Sequence, residues 1–218
     1  MQSYTLDEAR RIVMQCAKQY QANLLDRMFI VIYKDGIDHI IKDIEIKFSK
    51  RNYQHLTGIE LIDDNGNLRE HVSELFYTKC VNNRLSKTEI RLKKDGTTNL
   101  KLAALPVIMG IHKVTKIAGD FNNVRPYLVA DKVVGNVNFS LGLKQVDSYY
   151  VPASALLENI KQLTDVQSQV LAVISKEAGE HIFSNIRHVA KGVDLNCLSI
   201  PTEIAEKINL EHYRAKVK

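Results

Sequence analysis

Between Val137 and Val146 apolar and polar residues alternate: Val137, Phe139, Leu141 and Leu143 in one phase, Asn138, Ser140, Gly142 and Lys144 in the other. A period of two belongs to an extended strand, whose successive side chains leave opposite faces of a sheet. The pattern predicts a strand with one packed face and one wet face. Similar segments surround it. Val114 to Ile117 and Tyr127 to Val134 precede it, set off by Gly119-Asp120, Arg125-Pro126 and Gly135-Asn136. Ser148 to Val151 reads as a fourth strand, stopped by Pro152, and Gln169 to Ser175 and Ile182 to Ala190 close the sheet. The second half of the chain is thus expected to form an antiparallel meander.

The first half reads differently. Thr5 and Glu8 have the spacing of a capping box, and Ala9, Ile12, Val13, Cys16, Ala17, Tyr20 and Leu24 recur at helical intervals, predicting a helix to about Leu25. Phe29 to Tyr33 and His39 to Phe48, joined by the turn Lys34-Asp35-Gly36, form an antiparallel pair. Leu68 to about Asn82 and Leu100 to Ile108 read as helices, the latter interrupted by Pro106. Ser154 caps a short helix through Lys161, and Thr202 caps a last one from Glu203 to Lys216. Helices and a hairpin come first, then the meander, then a C-terminal helix, so the expected class is α+β. The expected organisation is a single domain over residues 1–200 with a helical extension over 201–218.

The length, 218 residues, suits one ordinary core, and no low-complexity tract interrupts it. The three cysteines, Cys16, Cys80 and Cys197, form no CxxC pair, and Cys16 falls on the apolar stripe of the first helix. No apolar run is long enough to span a bilayer, and the start MQSYTLDEARR lacks the apolar core of a signal peptide. These features predict a reduced, cytoplasmic setting without membrane contact. The net charge is +5. Between Lys79 and Lys101, Lys79, Arg84, Lys87, Arg91, Lys93, Lys94 and Lys101 face only Glu89 and Asp95, an excess equal to that of the whole chain. Such a segment is either a solvated surface or a field that attracts polyanions.

Several chemistries have no signal. There is no HExxH, calcium loop, GxxxxGK[ST], strand-linked GxGxxG or GxSxG elbow, so neither a metal nor a nucleotide cofactor is assigned. The pair His71 and Glu74 shares an expected helix face without further ligands. What remains is acid–base chemistry from histidine, lysine, tyrosine and hydroxyl groups, which suffices to cleave RNA. The stretch Phe48 to Leu61, FSKRNYQHLTGIEL, is the best candidate. An alternating strand runs into a basic bend at Lys50-Arg51 and then to His55 and Thr57. Histidine titrates near neutrality, and adjacent cations stabilise charge developing on phosphorus oxygens.

The blocks NYQHLTGIEL, DGTTNLKLAALPVI, KIAGDFN, LVADKVVGNVNFSLGLKQV, YYVPASALLENI and QVLAVISK, in this order, resemble the phage-associated Barnase–EndoU–colicin E5/D–RelE-like (BECR) nucleases, specifically their fourth prophage group. The resemblance covers roughly residues 29–191, and the HLTG block is its most specific part. It implies a fold with helices preceding a four-stranded antiparallel sheet. It also implies a metal-independent RNase, of a type often deployed as a toxin or effector against tRNA or other host RNA, with its site on the sheet face.

Carried onto this sequence, the resemblance implies His55 as acid or base and Lys101 as the cation on the phosphorane. It implies Tyr150 and Ser154 as binders of the scissile phosphate. Arg51, Thr57, Lys93, Lys94 and Lys176 complete the expected substrate-binding set. Each has an alternative: Thr57-Gly58 forms a turn, Tyr150 packs at the core edge, Ser154 caps a helix, or the lysines are merely solvated. Two functions follow. One is an endoribonuclease of phage or mobile-element origin, with RNA as substrate and an antitoxin as partner. The other is an anti-defence protein that binds, or cleaves, a host guide-RNA complex.

Overall fold

The computed structural model describes residues 3–94, 96–123 and 130–214. Helix α1 (Leu6–Asn23) begins on the expected capping box between Thr5 and Glu8 and buries Ala9, Val13, Cys16, Ala17 and Tyr20. Strands β1 (Arg27–Lys34) and β2 (Ile41–Lys47) pair antiparallel with Phe29 opposite Ile46 and Val31 opposite Ile44. That register places all four side chains in the main core.

The chain from Lys50 is not a bend. It is helix α2 (Lys50–Thr57), whose start is fixed by the Asn52 side chain accepting from the Ser49 amide at 2.9 Å and hydroxyl at 2.7 Å. Helix α3 (Ser73–Val81) falls in sequence between the two strands of a small sheet, β3 (Ile59–Leu61) and β4 (Ile90–Leu92). Helix α3 starts later than expected because His71 takes a left-handed backbone, φ 54°, so His71 and Glu74 do not share a helix face. Helix α4 (Thr97–Ile108) retains Pro106 in its last turn. The short α5 (Ile111–Val114) occupies part of an expected strand, and the sheet resumes at β5 (Ile117–Asp120). The expected strand from Tyr127 starts outside the described residues; its described part is β6 (Lys132–Gly135).

Strands β7 (Ser140–Val146), β8 (Tyr149–Leu156), β9 (Ser168–Glu177) and β10 (Asn185–Val189) follow. The sheet order is β1-β2-β8-β7-β6-β5-β9-β10, and β1 pairs β9 as well. Seven strands therefore close into a barrel, with β10 added to β9 outside the ring. The architecture is α+β, but the expected antiparallel meander is corrected in two ways. The N-terminal hairpin belongs to the same sheet, and β2 joins β8 in parallel, Ile46 opposite Tyr150. The FIVIY run of β1 explains the closure, since a strand apolar on both faces needs neighbours on both edges and cover on both sides.

The one-wet-face expectation for β7 also needs correction. Ser140 and Gly142 are buried along with Leu141 and Leu143, because a second layer covers the outer face. That layer comprises Phe121, Val133, Leu156, Ile160 and Leu163. Pro152 does not stop β8; it sits at a bulge, where a missing N–H is tolerated. Ser154 consequently lies inside β8 and caps no helix, and the 3-10 turn Ile160–Gln162 is capped by Asn159 instead.

The expected C-terminal helix shrinks to α6 (Thr202–Ala205). The rest of the described extension is a strap across the outer face of β1 and β9. There Ile30, Ile32, Ala172 and Ile174 meet Phe183, Leu195 and Ile204. Lys207 pins the strap by pairing with Asp43 at 3.0 Å and Glu45 at 2.9 Å. No helix among the described residues is long and apolar enough to cross a membrane.

Candidate functional site

Helix α2 presents the site because its other side is locked. Tyr53 and Leu56 are fully buried, and the Tyr53 hydroxyl donates to the Val13 carbonyl of α1. Around it the rings of Tyr20, Phe76 and Tyr77 pack in tilted and edge-on contacts at separations of 5.0, 6.2 and 5.6 Å. With these positions inward, helical spacing turns Arg51 and His55 to solvent, and both are exposed.

The helix ends at Gly58, in the left-handed conformation at φ 68°. Thr57 is fully buried, its hydroxyl donating to the Gln54 carbonyl at 2.8 Å and accepting from the Ile59 amide at 3.1 Å. It shapes the turn and faces no open surface.

Helix α4 lies against this end of α2. The Lys101 ammonium donates to the His55 carbonyl at 2.7 Å. The Thr98 hydroxyl, fully buried, donates to the Gly58 carbonyl at 2.8 Å and accepts from the Lys93 amide at 2.9 Å. Gly58 admits this approach: a Cβ there would lie 3.1 Å from Lys101 Cδ and 3.1 Å from Thr98 Cα. Partial burial of the imidazole, then the ammonium groups of Lys101 and Lys93, hold the His55 pKa below the ordinary histidine value. His55 is therefore mostly neutral at neutral pH, the form that accepts a proton.

The basic segment is largely neutralised within the fold. Lys79 pairs with Glu89, Arg91 with Glu60 at 3.0 Å, and Lys87 with Asp7 at 3.6 Å. Lys93 and Lys94 carry no carboxylate partner among the described residues. Arg84, exposed, likewise has no carboxylate partner among the described residues, so the charge left over lies at Arg84 and at Lys93 and Lys94, of which Lys93 acts on the His55 imidazole. Asp95, which the sequence places in the same segment, lies outside the described residues.

The other candidates diverge. Arg51 is tied to Glu74 at 2.7 Å on the exposed side of α2. Helices α2 and α4 both pack on β8, the strand of Tyr150 and Ser154. Tyr150 packs on the main core, paired across the strands with Ile46 and Gln145. Ser154 is buried and shares the strand phase of Leu156, which belongs to the outer layer. The bulge in β8 therefore puts Tyr150 and Ser154 on opposite sides. Lys176 is elsewhere, its ammonium 4.2 Å over the Phe183 ring and donating to the His181 carbonyl at 3.1 Å. Of the nine expected residues, His55, Lys101 and Lys93 converge, with Lys94 adjacent to Lys93 in sequence. Thr98 carries no sequence signal beyond its place two residues after Gly96, yet its hydroxyl joins the two helices. Among the described residues no group of three histidine, cysteine, aspartate or glutamate side chains is arranged to hold a metal ion.

Comparison with curated proteins finds no match, and comparison with solved structures finds none either. Comparison with protein families matches residues 12–192, most of the chain and all of the site just described, to the family described as phage-Barnase-EndoU-ColicinE5/D-RelE like nuclease 4. The chain belongs to this family of phage-type nucleases.

Proposed function

We propose that the protein is a metal-independent endoribonuclease that works through His55. The observation that carries the reading is the exposed imidazole at the end of α2, kept neutral beside Lys101 and Lys93. Neutral His55 takes the proton of a ribose 2′-OH. The 2′-oxygen attacks the adjacent phosphorus in line, and the bond to the 5′-oxygen breaks. The 5′-oxygen takes a proton from the Lys93 ammonium or from solvent, leaving a 2′,3′-cyclic phosphate and a 5′-hydroxyl. The Lys101 and Lys93 ammonium groups stabilise the charge on the non-bridging oxygens, with no need of a Lewis acid. Lys94 adds attraction for the neighbouring phosphates. RNA, tRNA included, is the substrate class, and an inhibitory antitoxin is the natural partner of such an activity.

The test is cleavage of a mixed RNA pool in excess chelator. Wild type is expected to yield cyclic-phosphate ends and His55→Ala to yield none. Cleavage that requires added magnesium, or that survives His55→Ala, sinks the mechanism. A second reading, an anti-defence protein that grips a host guide-RNA complex, is favoured by Lys93 and Lys94, which have no carboxylate partner among the described residues. It predicts binding that is indifferent to His55→Ala.

A further inference from the structure

Thr98 lies in the first turn of α4, where an inward threonine would ordinarily be a packing residue. Its hydroxyl is instead spent on two backbone groups from distant parts of the chain, the Gly58 carbonyl and the Lys93 amide. Gly58 closes the helix that carries His55, and Lys93 leads into the helix that carries Lys101. We infer that Thr98 is the positioning residue of the site, the clasp that holds the Lys93 and Lys101 cations against His55.

Three observations support the clasp. The hydroxyl is fully buried, so water cannot replace either hydrogen bond without the helices parting. The Thr57 hydroxyl already holds the Gln54 carbonyl and Ile59 amide, so the end of α2 is rigid up to the point where Thr98 grips it. The Gly58 Cα lets Thr98 and Lys101 approach together, at distances that a side chain would narrow to 3.1 Å for each. Thr98 holds Lys93 through its backbone amide, and among the described residues no hydrogen bond joins the Lys93 side chain to α2. Thr98 touches no reacting atom. It acts through the electrostatic environment of the imidazole, and a small displacement there is amplified in rate because catalytic geometry tolerates little slack.

The inference rests on the assignment of His55 as the reactive group, and its first readout needs no RNA. The pKa of His55 is followed by NMR titration of the His55 ring carbon-bound proton in full-length wild type, Thr98→Val, Thr98→Ser and Lys93→Ala. Removing Lys93 is expected to raise the His55 pKa, because a neighbouring cation disfavours the imidazolium. Thr98→Val, which keeps the shape and loses the hydroxyl, is expected to raise it in the same direction, whereas Thr98→Ser keeps the wild-type titration. A His55 titration unchanged in Thr98→Val, while Lys93→Ala moves it, overturns the inference.

Should Thr98→Val not fold, Gly58→Ala is read in its place. It keeps the hydroxyl but wedges a methyl between Thr98 and Lys101. A raised pKa there supports the clasp, and an unmoved one overturns it. The RNA assay then separates the two ideas. If cleavage is seen, kcat in Thr98→Val is expected to fall about 10- to 100-fold with KM within about twofold. If wild type cleaves nothing, the nuclease mechanism fails while the titration still decides the clasp.

Discussion

The Lys101 ammonium donates to the His55 carbonyl at 2.7 Å, so one cation both fastens α4 to α2 and biases the imidazole of the residue it grips. The sign of that bias gives the first prediction. Lys101 lowers the His55 pKa, so Lys101→Met is expected to raise it. In a pH–rate profile the activity of a general base is lost as pH falls through its pKa. The acid limb of Lys101→Met should therefore sit at higher pH than that of wild type, and its plateau should be lower because the phosphorane loses a cation. An acid limb that stays in place would detach Lys101 from His55 function.

Lys93 and Lys94 make a different prediction, about salt. Each phosphate contact releases counterions and contributes about one unit to the slope of log K against log salt. The double charge reversal Lys93→Glu with Lys94→Glu should weaken RNA binding for all sequences alike and reduce the slope by about two. The neutralised cations behave otherwise: Lys87→Glu, at a site already paired with Asp7, should leave the slope nearly unchanged. Equal effects at both sites would mean that the whole basic segment, and not its His55 end, faces the nucleic acid.

What could be read from the sequence was local. The capping box of α1, the β1–β2 hairpin and the apolar phase of β7 at Leu141 and Leu143 follow from near-neighbour patterns, and the structure keeps them, although β7 begins only at Ser140 and Val137 is exposed. Helix α2 leaves little trace in the sequence because only Tyr53 and Leu56 mark its apolar side, and its cap closes with Asn52, where the usual motif has Glu or Gln. Ser154 reads as a helix cap because Pro152 looks like a strand terminator, whereas a bulge absorbs it within β8. The contact of His55 with Lys101 spans 46 positions and leaves no periodic trace, so only the resemblance of the blocks could pair them. The same limit hid Thr98, whose two partners are set by how α2 and α4 meet.

His112 offers an acid test of the fold. It is buried on α5 against the apolar interior of the barrel, with its ring 5.7 Å from that of Phe29 and its Nδ1 without a hydrogen-bond partner among the described residues. Burial, then the cations Lys113, Arg187 and Arg27, push its pKa down to about 4. An unfolded histidine titrates near 6.5, so the folded state takes up its proton later than the unfolded one. The neutral ring therefore contributes full stability above about pH 6.5, and that contribution is lost progressively as pH falls toward 4. The whole effect is on the order of 3 kcal/mol for a shift of this size. Denaturant melts at several pH values should show wild type weakening across this window. His112→Leu should weaken much less, with the two curves separating as pH falls. Parallel curves would mean that the imidazole finds a partner in the folded protein.

The strap beyond the family match makes the final prediction. Residues 12–192 carry the family likeness, yet the outer face of β1 and β9 is covered by side chains from both sides of that limit, Phe183 from within and Leu195 and Ile204 from beyond. Phe183 receives the strap through its own backbone, its amide donating to the Lys207 carbonyl at 2.8 Å and its carbonyl accepting from Asn209 at 2.8 Å. Ile30 and Ile32 alternate with Phe29 and Val31 along β1, so one strand serves both the barrel interior and the strap. Loosening the strap should therefore weaken the barrel itself. Ile204→Ala is expected to cost about 2–5 kcal/mol, the range for truncating a buried isoleucine, in a single cooperative transition. Lys207→Ala should cost much less, since its pairs with Asp43 and Glu45 are partly exposed. If Ile204→Ala instead melts in two steps, with the barrel transition unmoved, the strap is an independent unit laid on a finished domain.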